Sequence, residues 1–168
     1  MTISIDVLTK ENADDFCSLI QDMQLPKDDG YVGRCVDKSV SGERVTLLAS
    51  VDKQTAGFCL LNFKPAYGLF QKMNIPEMQD LNTHPDFRQR GVATALIQKC
   101  ENIVQGKGMT ELGLGVGLHA GYGNAHRLYV KMGFVPDGQG VVYDAVGVVP
   151  NDIRPVDDEL CLMMVKDL

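Results

Sequence analysis

The segment that most restricts the fold of this chain is residues 77–104, which has the pattern of a strand, a turn and a long helix. Pro85 ends the extended pattern, and from Gly91 apolar side chains recur at helical spacing. A strand that leads into an amphipathic helix buries one face of each against the other, so this segment predicts a sheet covered by helices. The apolar positions of the helix are Val92, Ala93, Ala95, Leu96, Ile97, Cys100 and Val104.

Residue patterns on either side predict further strands and helices around this unit. Strands are predicted at residues 3–8, 45–51, 56–63, 112–116, from 133 and at 160–166, and helices at 11–25, 32–39 and 121–132. Residues 64–74 and 137–155 are predicted as loops. The two strands joined by residues 52–55 form a predicted hairpin. This order indicates an α+β fold in three layers with a mixed, largely antiparallel central sheet, in a single domain spanning residues 1–168.

Composition and charge exclude several classes of partner. Apolar residues make up 45% of the chain and charged residues 23%, which is typical of a globular domain. The 16 basic and 22 acidic residues give a net charge of −6, and no basic cluster suits nucleic acid, whereas a cationic substrate suits an acidic surface. No apolar run approaches the roughly 20 residues that span a bilayer, so no membrane contact is expected.

The five cysteines indicate a reducing compartment. They are an odd number, with no Cys-x-x-Cys pair and no matching histidine spacing, which argues against both a disulfide framework and a zinc site. The N-terminal residues lack the basic and apolar regions of a signal peptide. We therefore expect a cytoplasmic protein that needs no metal.

The turn at residues 88–94 has the chemistry of an anion site. Unpaired N–H groups and the positive end of the dipole at a helix start suit a pyrophosphate. Arg88 and Arg90 add charge-assisted contacts, while Gly91 and Ala93 keep the turn uncluttered. The alternative is an ordinary helix start with solvated arginines. A phosphate-binding loop of the Gly-x-x-x-x-Gly-Lys-Ser/Thr type is absent, which disfavours nucleotide hydrolysis.

A second informative run is residues 124–134, which is predicted as a helix that ends at Gly133. Its apolar face includes Leu128 and Met132. From the residues alone, Tyr129 is interpreted as a core aromatic whose hydroxyl finds a hydrogen-bond partner.

Together, the two runs resemble the signatures of the GNAT superfamily of N-acetyltransferases. Arg88-x-x-Gly91-x-Ala93 is similar to the pyrophosphate signature of that family, and Asn124 to Phe134 is similar to its second motif, about 30 residues further on. The resemblance implies the GNAT-like fold and acetyl-CoA as acyl donor, with its pantetheine paired along the strand that contains Asn82. The cofactor-binding residues implied are Leu81, Asn82, Thr83, Arg88, Gln89, Arg90, Gly91, Val92, Ala93, Thr94, Asn124 and Tyr129.

The resemblance also implies roles in catalysis for two side chains. Tyr129 matches the tyrosine that protonates the departing thiolate, a step for which a neutral phenol is suited. Glu77 lies eleven residues before Arg88, where one branch of the family carries its glutamate base. Asp80 is the second candidate. Either carboxylate has alternative roles, as a contact for a cationic amine or as a solvated strand-end residue, and in other branches ordered water replaces the base.

Two rival interpretations belong to other classes. Gly113, Gly115 and Gly117 could be taken for a dinucleotide-binding loop after a strand, but their spacing is wrong for one. A non-catalytic acyl-CoA-binding module would keep the cofactor site and acylate nothing. The acceptor amine, whether a small molecule or a protein lysine or N-terminus, is not readable from the sequence. The family resemblance makes a homodimer one possible assembly.

Overall fold

Eight strands and five helices make up the protein, which is described over residues 1–168 by a computed structural model. The strands are β1 (Ile3–Val7), β2 (Arg44–Val51), β3 (Gln54–Asn62), β4 (Glu77–Thr83), β5 (Glu111–Gly117), β6 (Val135–Tyr143), β7 (Val146–Gly147) and β8 (Leu160–Asp167). The helices are α1 (Ala13–Asp22), α2 (Tyr31–Ser41), α3 (Gly68–Met73), α4 (Val92–Gly106) and α5 (Gly123–Lys131).

The strands form one sheet in the order β1-β2-β3-β4-β5-β8-β6-β7. The pairs β1–β2, β2–β3, β5–β8, β6–β8 and β6–β7 are all antiparallel. The predicted α+β class with a mixed, largely antiparallel sheet is therefore confirmed. By its internal contacts the chain divides into two units, Met1–Phe63 with Met78–Asn102 and Lys64–Glu77 with Ile103–Leu168.

The first unit has its core between α1, α2 and the strands β2 and β3. Phe16 of α1 is fully buried and packs edge-on against Phe58, with 4.9 Å between ring centroids. The predicted β2–β3 hairpin is confirmed, and its turn consists of Asp52 and Lys53, both with positive φ. Two left-handed residues match the twist of a hairpin, which explains so short a connection. The buried members of this core are Leu8, Phe16, Leu19, Ile20, Cys35, Val36, Leu48, Phe58 and Leu60.

The second unit corrects two of the sequence predictions. Residues 64–74 are not all loop, because α3 forms there and buries Phe70. A Cβ on Gly113 of β5 would lie 2.3 Å from the Phe70 ring, so the missing side chain makes room for this helix. Three apolar side chains in six residues give too short a pattern to predict such a helix from sequence.

The second correction concerns residues 137–155, which were also predicted as loop. Strand β6 continues to Tyr143, and β7 follows as a two-residue strand. Gly138 and Gly140 have positive φ, and the β6–β8 register shifts between Pro136 and Val141. These irregularities remove the alternation by which a strand is recognised in a sequence.

Candidate functional site

The turn between β4 and α4 is shaped by two left-handed residues. Residues 85–87 form a short 3-10 turn, in which Nδ1 of His84 accepts a hydrogen bond from the N–H of Asp86 at 3.3 Å. Gln89 and Gly91 then have φ of 60° and 85°. An added Cβ on Gly91 would meet only the Cδ1 atom of Ile3, at 3.8 Å, so conformation rather than crowding favours glycine there.

Backbone donors collect at the start of α4. The first hydrogen bond of the helix runs from the N–H of Ala95 to the carbonyl of Gly91, at 2.9 Å, so the N–H groups before Ala95 have no partner within the helix. Arg88 and Arg90 are exposed at this end, and the Arg90 guanidinium lies 5.6 Å from the centroid of the Phe87 ring. This arrangement has the donors, dipole and positive charge that bind a phosphate group.

Strand β4 places the next candidates in the same unit. Leu81, Asn82 and Thr83 are half-buried at the end of the strand. A Cβ on Gly57 of β3 would lie 2.5 Å from the carbonyl oxygen of Asn82 and 3.1 Å from Val92 of α4. The absence of a side chain at residue 57 thus permits β3 to pack closely on both candidate segments.

Asp80, the second carboxylate candidate, is hydrogen-bonded to one side chain of the α1–α2 connection and to one at the start of α2. Its Oδ2 atom accepts hydrogen bonds from the Lys27 ammonium at 2.8 Å and from the Tyr31 hydroxyl at 2.7 Å. Neither Lys27 nor Tyr31 is predicted as a site residue from the sequence. No spacing rule connects residues about 50 positions apart, so only the structure finds this cluster.

The remaining candidates lie in the second unit. Tyr129 is the buried residue of α5, and its ring lies at 64° to that of Phe134 with 5.9 Å between centroids. The N–H of Phe134 bonds to the carbonyl of Tyr129 at 3.0 Å, just past the left-handed Gly133 that ends the helical segment. Asn124 is exposed in the first turn of the same helix.

Glu77 is one of the two buried polar residues, with an exposure of 8%. Burial, followed by the charges of Glu159 and Glu77, raises the pKa of the Cys161 thiol in β8 to about 11. The N–H of Gly113 bonds to the carbonyl of Pro76 at 2.9 Å, which fixes the backbone just before Glu77. A buried carboxylate is a side chain that can serve as a general base toward a bound amine.

A polar cluster before α5 was also missed from the sequence. Oδ1 of Asp158 is 3.0 Å from Nε2 of His119 and accepts a hydrogen bond from the Tyr122 hydroxyl at 2.9 Å. Hydrogen bonds from these two partners lower the pKa of Asp158. Through these contacts the acidic stretch at residues 157–159 connects to the segment that leads into α5.

No group of three or more His, Cys, Asp or Glu side chains is arranged to hold a metal ion. None of the helices has the length and apolar character needed to cross a membrane.

Comparison with known proteins identifies the family. Residues 13–134, which include both signature runs, match the model of the acetyltransferase (GNAT) family. The chain belongs to the GNAT family of acetyltransferases. The resemblance predicted from the two signature runs is thereby confirmed.

Individual relatives agree with the family match. The chain is 33% identical over 58 residues to YedL of Escherichia coli (strain K12), an uncharacterized N-acetyltransferase. The aligned residues cover 34% of the chain and 36% of YedL, so the chain spans about a third of that relative's length. The fold of the present chain is similar to that of the PaiA N-acetyltransferase of Thermoplasma acidophilum in complex with coenzyme A, with TM-score 0.67, 19% identity and full coverage of both chains. An aminoglycoside 6'-N-acetyltransferase complexed with coenzyme A gives TM-score 0.68 and 20% identity over 99% of this chain and 97% of that one.

Proposed function

We propose that this GNAT protein is an enzyme that transfers an acetyl group from acetyl-CoA to a primary amine by direct attack. The observation that carries the proposal is the start of α4. Its unpaired N–H groups, helix dipole and exposed Arg88 and Arg90 together suit the pyrophosphate of coenzyme A. Two solved structures with a similar fold are complexes with coenzyme A, which supports the same cofactor here.

The rest of the cofactor site is assigned by the family motifs. Leu81, Asn82 and Thr83 offer backbone groups at the end of β4 for pairing with the pantetheine arm. Residues 88–94 hold the pyrophosphate, with the main-chain N–H groups supplying most of the bonds. Asn124 is exposed at the start of α5 and contributes a side-chain contact to coenzyme A.

The acyl transfer needs one base and one acid. The deprotonated amine nitrogen attacks the thioester carbonyl carbon and then loses its excess proton to solvent, and collapse of the tetrahedral intermediate breaks the C–S bond. We assign Glu77 as the group that accepts the amine proton, since it is a buried carboxylate and stands where one branch of the family carries its glutamate base. Tyr129 donates its phenolic proton to the departing thiolate, because an ordinary phenol is neutral at pH 7.

The acceptor is proposed only by class, as an amine carried by a small molecule or by a protein. The net charge of −6 favours encounter with a cationic compound over a nucleic acid. The five cysteines form no disulfide, and the Sγ atoms of Cys59 and Cys100 share an S–H···S hydrogen bond at 3.6 Å. Such thiols suit the reducing cytoplasm, where we propose that the protein acts.

A panel of amines tests the proposal directly. The panel contains polyamines, aminoglycosides, amino acids and lysine peptides, each incubated with acetyl-CoA and the protein. We expect release of coenzyme A and a product heavier by one acetyl group, detected by mass spectrometry. Because the chain has five cysteines of its own, the thiol assay is corrected with a reaction that lacks the amine. Binding of acetyl-CoA without turnover of any amine would instead indicate a non-catalytic acyl-CoA-binding module.

A further inference from the structure

Asp80 adopts a backbone conformation that is unusual for a strand residue. With a φ of 50°, it is the one non-glycine residue of positive φ within the strands. The left-handed region is disfavoured for L-residues because Cβ approaches the following carbonyl oxygen. Such a conformation persists only when surrounding contacts hold it in place. Those contacts should therefore be present around Asp80.

Three hydrogen bonds hold Asp80 in this conformation. Its Oδ2 atom accepts one bond from Lys27 and one from Tyr31, at 2.8 and 2.7 Å. The side-chain amide of Asn82 donates to the backbone carbonyl of Asp80 at 3.0 Å. The Lys27 ammonium also lies 4.6 Å from the centroid of the Tyr31 ring, which adds a cation–π contact.

The hydroxyl of Tyr31 remains a hydrogen-bond donor to Asp80 as the pH rises. Burial and then the Asp80 carboxylate raise the pKa of Tyr31, so its hydroxyl stays protonated throughout the neutral and mildly basic range. Its ring also packs near Phe16, with 6.1 Å between centroids. The hydroxyl is thus presented from a fixed ring, and the bond to Asp80 does not depend on a mobile side chain.

We propose that Asp80 is a positioning residue, whose carboxylate, held by Lys27 and Tyr31, fixes the left-handed turn of the chain within β4. Residues 81–83 follow directly, and their backbone is the segment that we assign to the pantetheine arm. The inference rests on the proposed function, since it concerns the cofactor strand of that site. It also means that Asp80 acts through the backbone rather than by contact with the acceptor amine, since its Oδ2 atom already holds an ammonium group.

Binding of coenzyme A, measured by isothermal titration calorimetry, tests the proposal without knowledge of the acceptor. Asp80→Ala removes the carboxylate and leaves a Cβ at positive φ, so we expect binding about tenfold weaker. Asp80→Gly also removes the carboxylate but adopts positive φ without strain, and should bind within about threefold of wild type.

Two further variants keep the carboxylate and remove its partners. Tyr31→Phe retains the packed ring and loses only the hydroxyl, and Lys27→Met retains the apolar stem. Together they should weaken coenzyme A binding about tenfold, because each lost bond involves a charged group. The matched controls are Tyr143→Phe, which loses a bond to Asp157, and Lys38→Met, which loses an ion pair with Glu43; neither should change binding.

The outcomes separate the two proposals. If the wild-type protein does not bind coenzyme A, the proposed function fails and this inference fails with it. If the wild type binds and Asp80→Ala binds equally well, only the positioning role is overturned. Equal losses in Asp80→Ala and Asp80→Gly would also overturn it, because the loss would then follow the carboxylate and not the backbone conformation at residue 80. Thermal melts of each variant confirm that the protein is folded.

Discussion

The two side chains that we propose as acid and base differ from most other polar side chains of the protein in being buried. Tyr129 and Glu77 are buried, with exposures of 7% and 8%, whereas most charged side chains are at the surface. Burial of a polar side chain costs free energy unless a partner or a function compensates for it. Asp80 differs from Glu77 in burial, since its carboxylate is half-buried and accepts hydrogen bonds from Lys27 and Tyr31.

The proposed acid is tested by removal of one oxygen atom. Tyr129→Phe keeps the ring that packs near Phe134 and removes the proton donor. We expect turnover to fall about 10² to 10⁴-fold, the usual contribution of general acid catalysis, while coenzyme A binding by calorimetry is nearly unchanged. Tyr143→Phe is the control. Unaltered turnover in Tyr129→Phe would exclude the tyrosine from the mechanism.

The electrostatic effect of Glu77 is measurable at Cys161. Because its pKa is about 11 instead of the ordinary 9.0, a difference of 2, Cys161 carries about a hundredfold less thiolate at neutral pH and alkylates correspondingly slowly. Glu77→Gln removes a negative charge that raises this pKa, so the midpoint of the pH–alkylation profile should move to lower pH. Glu111→Gln, at the far end of β5, is the charge control. An identical shift in both variants would contradict the proximity of Glu77 to the thiol.

At the level of elements, close backbone approach fixes the position of the candidate cofactor segments. Gly57 lets β3 pack against the carbonyl of Asn82 and the side chain of Val92. Gly57→Ala should therefore destabilise the protein by about 1 to 3 kcal/mol and weaken coenzyme A binding. The new Cβ would lie 2.5 Å from the carbonyl oxygen of Asn82, and the backbone of β4 would have to shift to relieve this clash. Urea unfolding and calorimetry measure the two effects.

A matched glycine shows whether the effect is specific. Gly33 lies within α2, and an added Cβ there would meet no atom within 4 Å. Gly33→Ala should stabilise the protein by roughly 0.5 to 1 kcal/mol, because alanine loses less conformational entropy in a helix. A loss of stability in Gly33→Ala as large as that in Gly57→Ala would mean that steric crowding is not the cause.

Elements with a regular period were predictable from the sequence, and irregular ones were not. Strand β4 was predicted at its observed bounds, and α4 to within one residue of its start, because their patterns are long and are ended by Pro85 and by glycines. Helix α3 and the second half of β6 were missed, since one is short and the other contains Gly138 and Gly140. Long-range partners such as Lys27 leave no periodic pattern at all.

For the whole molecule, the sequence predicts a single domain, and we retain this as a proposal. Neither compact unit is continuous in sequence, and the division falls within β4 and within α4. Each unit therefore depends on secondary structure that it shares with the other, which favours joint unfolding. The family match, over residues 13–134, also includes parts of both units.

Thermal unfolding with and without coenzyme A tests this proposal. We expect one transition, with coincident calorimetric and van't Hoff enthalpies. Coenzyme A at 100 times its dissociation constant should stabilise the folded state by about 2.7 kcal/mol, which for a domain of this size raises Tm by about 5 to 10 °C. The whole transition should move, because a ligand that binds only the folded state stabilises everything that unfolds with its site. Two transitions, of which coenzyme A moves only one, would contradict the single domain while leaving the cofactor site intact.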